Sequence, residues 1–251
     1  GNTQTQGIID FKAYNEDDAQ VITKVGRSPY EFYGYETNGV YATTQEALAS
    51  GLKNSYGNNY RGGDVRFVDQ NHDGVINDED RVSLGSATPD FFGGLSTTFR
   101  YKWISLKADF GYSVGNKAYN ATRRMSESMS TFYNQSTSVL NRWQVEGQVT
   151  DMPRAAYGDP SGNNFFSDRW VEDASYFKLR ALTLAFHFDN KMLKFCQSGT
   201  IYVTGENLFT ATDYLGSDPE FNYSYSESMR GFDYAKVSLP ITIKVGFNLN
   251  F

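Results

Sequence analysis

The clearest pattern in the chain lies at its end. From Ile241 onward, Ile241, Ile243, Val245, Phe247, Leu249 and Phe251 alternate with Thr242, Lys244, Gly246, Asn248 and Asn250. A period of two is a strand with one apolar face. The same pattern occurs upstream, where Leu95, Thr97, Phe99 and Tyr101 alternate with Ser96, Thr98 and Arg100. After a tight turn at Lys102 and Trp103, Ile104, Leu106, Ala108, Phe110, Tyr112 and Val114 lie opposite Ser105, Lys107, Asp109, Gly111 and Ser113. Tyr176 to Phe188 puts Leu182, Leu184, Phe186 and Phe188 on one face, and Gly199 to Thr210 reads as a strand of poorer alternation. Lys and Asp in mid-strand, opposite an unbroken apolar face, suit a water-filled lumen and a lipid boundary. A soluble sheet with one wet side has the same pattern.

The connections separate these readings. They are short at Lys102 and near Asn190 but long at 115–170 and 211–236. Outer-membrane barrels have short periplasmic turns and long external loops, whereas a sandwich has no reason to sort its loops. Counted back from Phe251 as a descending strand, 199–210 ascends, 176–188 descends, 104–114 ascends and 91–101 descends, so everything before residue 90 lies outside the cell. The prediction is an all-β chain, an antiparallel meander forming part of a transmembrane β-barrel with long extracellular loops. It divides into a loop-rich region, 1–62, with a short helix at Thr44 to Ser50; an acidic-loop segment, 63–90, that opens on a short strand at Val65 to Val68; and barrel strands with long loops, 91–251. The alternative is a soluble, calcium-stabilised β-sandwich that binds carbohydrate.

Composition narrows the classes. With 251 residues, 16% of them aromatic, and 18 Tyr, 19 Phe and 23 Gly, the chain is an aromatic-rich β protein with polar loops. It has no apolar run of about eighteen residues and therefore no transmembrane helix, but barrel strands escape that test. A net charge of −6 excludes nucleic acid as a partner, because neutralising phosphates takes a basic face. The single cysteine, Cys196, excludes an internal disulfide and a cysteine metal site, and in its short turn it reads as an inert thiol. Gly1 to Gly7 shows no signal peptide, so the chain is expected to be cytosolic or to lack its beginning.

The sharpest local motif is acidic. Asp69, Asn71, Asp73, Gly74 and Asp80 occupy positions 1, 3, 5, 6 and 12 of a twelve-residue calcium loop, with the Val75 carbonyl as a backbone ligand. Oxygens at alternate positions converge on one hard cation, Gly74 takes the sharp turn and Ile76 anchors the loop to apolar surface. The last acid is Asp80 rather than Glu, and a strand, not a helix, precedes Asp69, so the pattern resembles a dockerin-type loop more than an EF-hand. Calcium is the expected cofactor, in a structural role; an Asx-rich turn that binds nothing is the alternative. Catalysis is not expected, since His72 and His187 are isolated and no nucleophile elbow or phosphate loop is present. Neighbouring acids such as Glu172 and Asp173 read as solvated loop residues.

Four stretches carry a family likeness: Gly26-Arg-Ser-Pro-Tyr-Glu-Phe-Tyr-Gly-Tyr35 with Asn38-Gly-Val-Tyr41; Gly63 to Arg81; Ser167-Asp-Arg-Trp-Val-Glu-Asp-Ala-Ser-Tyr-Phe-Lys-Leu-Arg180; and Val203-Thr-Gly-Glu-Asn-Leu-Phe209. In this order they resemble the carboxy-terminal part of SusC/RagA-type TonB-dependent outer-membrane transporters. The resemblance implies a place in the bacterial outer membrane, contact with its lipid, import of oligosaccharides or peptides, a SusD-like surface lipoprotein as lid, and TonB engaged through an amino-terminal part that is missing here. Such barrels have about 22 strands, so five or six strands cannot close one. His72 stands where the family usually has glycine; the change is expected to be harmless if its side chain faces solvent. Trp143, Tyr157 and Trp170, in the long loops, are candidates for stacking on sugar, with loop packing as the alternative.

Overall fold

The computed structural model of the chain describes residues 7–10, 18–192, 194, 196–221 and 226–251. They fall into two compact units.

The first unit, Pro89–Asn116 with Asp173–Glu220 and Val237–Phe251, is a single five-stranded sheet. Its strands are Phe91–Tyr101, Ile104–Val114, Tyr176–Asp189, Ser198–Thr212 and Thr242–Asn250, each antiparallel to the next. This is the meander that the alternation predicts. Lys102 and Trp103 close the first hairpin, with Lys102 in the left-handed region at φ 51°. Both long connections leave from the end of the sheet where Ser113, Tyr176 and Thr212 pair across three strands. The short turns lie at the opposite end.

Register makes one face continuous. Leu106 lies beside Phe99 on one side and Leu184 on the other, and Leu184 continues to Val203 and Val245. The Tyr176–Asp189 strand has a bulge between Leu179 and Ala181. An extra residue shifts side-chain parity, so Leu179 and Phe177 join the face of Leu182 and Leu184 although the numbering says otherwise. There Phe177 stacks on Phe110, with centroids 5.4 Å apart. Gly111 leaves room for the bulged Arg180, whose guanidinium fills the place a Cβ would take.

The second unit draws on 1–88, 117–172 and 221–236, and short strands surround two aromatic cores in it. Around one core run Gly7–Asp10, Gln20–Thr23, Glu31–Gly34 and Val82–Gly85, together with Lys117–Asn120 and Phe232–Asp233. Tyr119 packs edge-on against Phe166 and Phe232, at 4.9 and 5.4 Å. In the other core, Tyr35, Tyr41, Tyr60, Val65, Phe67 and Ile76 close over one another. Burying so many rings is the main stabilisation available to strands this short.

The predicted helix is present as Thr44–Ala49, capped by the Thr43 hydroxyl. A second helix, Ala121–Glu127, lies inside the stretch read as a long polar loop. Asn120 caps it, accepting from Arg123 N at 2.9 Å, and the chain turns away at Met129, with φ 50°. The division into 1–62, 63–90 and 91–251 therefore needs correction. The compact units are discontinuous, because residues 117–172 and 226–236 pack with the early part of the chain instead of looping freely between strands.

Candidate functional site

The sheet has two unlike faces. On the polar face, side chains bond across the strands. Thr183 and Thr204 hydroxyls meet at 2.8 Å and Lys244 Nζ reaches Glu206 at 2.6 Å, while along a single strand Lys107 Nζ reaches Asp109 at 3.0 Å. His187 bridges Ser105 at 2.8 Å and Thr200 at 3.0 Å, so it joins three strands and is not the isolated residue the sequence suggests. Lys178, fully buried, holds both oxygens of Asp218 at 2.9 and 3.1 Å and Glu220 at 3.3 Å, while Arg180 holds the other Glu220 oxygen at 2.6 Å. These contacts tie the segment after Thr212 back onto its own sheet.

The apolar face has no such cover. Phe99 is 69% exposed, Val245 73% and Phe247 74%, and Leu106, Leu184, Ile201 and Val203 between them are exposed as well. Water-soluble surfaces carry single apolar side chains readily but rarely a continuous field of them. A sandwich would lay a second sheet here, and no described residue does so.

In the second unit, the acidic loop is held by its own turns. Asp69 accepts from His72 N at 2.7 Å and Gly74 N at 2.9 Å, Asn71 from Asp73 N at 3.0 Å, and Asp73 from Val75 N at 2.7 Å. Asp80 is fully buried, and its two oxygens accept from Gln70 N and Asn77 N, both at 2.8 Å. Val75 pairs with Lys53 in a two-residue bridge of strands. The donor chemistry is that of a hard-cation loop, and each carboxylate oxygen that accepts an N–H keeps a second lone pair. Among the described residues, however, no three acidic, histidine or cysteine side chains gather as a metal cluster. His72 is exposed as expected, but its φ of 61° puts it in the left-handed region, where glycine is unstrained. The His72 departure therefore costs backbone energy even though its side chain is harmless.

The three candidate aromatics have different fates. Trp170 is 0% exposed, in the core with Phe166 and Phe232, so it has no face to offer a sugar. Trp143 is half-buried; its indole N–H donates to the Ala42 carbonyl at 2.9 Å, and its ring lies where side chains at Gly62 and Gly63 would be. Tyr157 alone is open, at 74%, and it stacks at 5.0 Å on Phe132, which is 91% exposed. Phe132 escaped the sequence reading because it sits in a segment without periodicity. Glu172 is also not a solvated acid: it is largely buried and accepts from Arg123 at 2.8 Å and Asn120 at 3.2 Å.

No family model matches the chain. Two relatives match most of the chain. TonB-dependent receptor P3 of Formosa agariphila is 32% identical over 237 residues, 92% of this chain and 23% of the receptor. TonB-dependent receptor SusC of Bacteroides thetaiotaomicron is 25% identical over 221 residues, 87% of this chain and 20% of that receptor. The chain belongs to the SusC/RagA-type TonB-dependent transporters. The fold agrees: a chain of the RagAB peptide importer in its open-open state matches 100% of this chain and 24% of its own length, with a TM-score of 0.73 and 23% identity. These transporters are outer-membrane proteins. The chain spans about a quarter of the length of the relatives it matches.

Proposed function

We propose that the chain supplies part of the barrel wall and the external loops of a TonB-dependent importer of oligosaccharides or other nutrients. The observation that carries this reading is the sheet with one hydrogen-bonded polar face and one uncovered apolar face. The geometry suits a bilayer. An eleven-residue strand such as Phe91–Tyr101, rising about 3.3 Å per residue and tilted by about 40°, spans roughly 25 Å, the height of the apolar band of such barrels. Lipid then covers the face of Leu106, Leu184 and Val245, and water fills the side of Lys107, Thr183 and His187.

The strands at both edges need neighbours from the rest of the receptor, because unpaired edges associate with whatever they meet. On the family likeness, a SusD-like surface lipoprotein acts as lid and TonB supplies energy through parts of the receptor outside this chain. The cargo is the open choice: the family likeness implies oligosaccharides or peptides, and a structural neighbour is described as a peptide importer. Uptake of labelled oligosaccharides and labelled peptides, in cells carrying or lacking the receptor and with TonB present or deleted, separates these. TonB-dependent uptake of one class supports the reading, and uptake of neither class defeats it.

We propose separately that the Asp69–Asp80 loop takes calcium as a stiffener, with Asp69, Asn71, Asp73, Val75 and Asp80 as the donors. The side-chain oxygens of Asp69, Asn71 and Asp73 already turn inward onto the loop's own N–H groups, which supports this. Calorimetric titration against Asp73→Ala tests it.

A further inference from the structure

The second unit has a cavity of ≈ 710 Å³ lined by Thr37, Arg123, Ser138, Leu140, Asp151 and Arg169, among others. Two arginines stand together in its wall. Both lie over the buried Trp170 ring, Arg123 at 5.5 Å and Arg169 at 4.8 Å from its centroid. Their neighbours treat them differently. Arg123 is committed, with Nε on Glu127 at 3.0 Å and Nη1 shared by Glu172 at 2.8 Å and the Arg169 carbonyl at 3.0 Å. Among the described residues, Arg169 makes a single side-chain hydrogen bond, Nη1 to the Asn163 carbonyl at 3.1 Å, and no ion pair within 4.0 Å. A guanidinium has five N–H donors in a fork that matches a carboxylate. Most of that fork is unused by the described residues, and the residue is only partly buried.

Burial, and after it the like charge of Arg123, pull the Arg169 guanidinium down to about 10. Glu127, Asp168 and Asp159 oppose this only in part, and a ligand anion would add to them in favouring the charged form. Of the charged side chains that line the cavity, two are cationic and one, Asp151, is anionic; Arg123 is already paired with Glu127 and Glu172, which leaves Arg169 as the open cation among the described residues. That matches a monoanion better than a doubly charged phosphate.

We propose that this cavity is a subsite for a carboxylate on the cargo, gripped by Arg169 with Arg123 beside it. The proposal rests on the import reading and narrows it, because it selects acidic cargo from either nutrient class. The carboxylate could be the free end of a peptide or the acid of a uronic sugar, and the probes tell these apart.

The test is calorimetric titration of the full-length receptor in detergent. The probes are acetyl-trialanine as free acid and as amide, and trigalacturonate beside neutral maltotriose. The acid member of at least one pair is expected to bind, with its neutral partner at least about tenfold weaker, the scale of one lost charge-assisted hydrogen bond. Arg169→Gln keeps polar donors but removes the charge, and should abolish that preference. Leu140→Trp adds bulk at an exposed residue of the cavity lining with both arginines kept, and should reduce acid binding by a similar factor; it carries the test if Arg169→Gln does not elute as a folded receptor. Equal binding of acid and neutral probes, no binding of any probe, or an acid preference that survives the substitutions overturns the proposal. Acid-selective binding by a receptor that shows no TonB-dependent uptake in cells would instead sink the import reading and leave the subsite standing.

Discussion

Leu184 sits near the middle of its strand on the uncovered face, between Leu106 and Val203, while its neighbour Thr183 points to the other side and meets Thr204. Replacing each by arginine tests which side meets lipid. An arginine on the lipid face near the bilayer midplane costs about 2–4 kcal/mol, and at about 1.4 kcal/mol per decade that lowers the folding equilibrium constant by roughly thirty- to a thousandfold. Thr183→Arg places its charge in water and loses one hydroxyl pair, about 1 kcal/mol. The assay is equilibrium guanidinium unfolding of the full-length receptor in lipid vesicles, with the folded fraction read by the gel shift on heating. Leu184→Arg should be the more damaging by at least about 1 kcal/mol. On a soluble sheet an exposed leucine accepts arginine with a change of about 0.5 kcal/mol or less, so a near-neutral Leu184→Arg, or a larger effect at Thr183, refutes the reasoning.

Other consequences follow from single residues. His72→Gly relieves a left-handed backbone at φ 61°, about 1–2 kcal/mol, against about 0.4–1 kcal/mol of added unfolded-chain entropy, and should on balance stabilise the acidic loop; a lower melting temperature for the variant would contradict this. Lys178→Met leaves Asp218 buried without its cation and should cost about 3–5 kcal/mol, most of it recovered when Asp218→Asn is added; a double variant no better than the single one rules out the pairing account. Calcium should raise the melting temperature of the wild-type receptor and leave Asp73→Ala unmoved, and a wild type indifferent to calcium removes the metal from the loop.

What was legible in the sequence is what repeats with a short period. The five strands could be read because a strand with one polar and one apolar face writes that difference into alternate residues, as in Ile104 to Val114. At Arg180 the signal failed locally, since one bulged residue exchanges odd and even positions and hides Phe177 and Leu179. The second unit was largely illegible for a different reason. Its strands are two to four residues long, too short to show a period, and its cores join residues far apart in the chain, such as Phe32, Tyr119, Phe166 and Phe232. Trp170 illustrates the limit: an aromatic residue in a polar stretch reads equally as a ligand platform or a core anchor, and only its neighbours decide. The arginine cavity has no local signal at all, because Arg123 and Arg169 belong to different segments, and Glu172, which looked like a loop acid, holds one of them in place.

The central claim is that the uncovered face of the sheet lies against lipid and the hydrogen-bonded face against water. Nitroxide labels at Val245→Cys and Lys244→Cys, adjacent on the last strand and on opposite faces, test it in the full-length receptor reconstituted in vesicles, with Cys196→Ser as background. The label at 245 is expected to collide with oxygen in preference to a water-soluble nickel chelate, and the label at 244 to do the reverse. Equal access to the nickel chelate at both positions would contradict it.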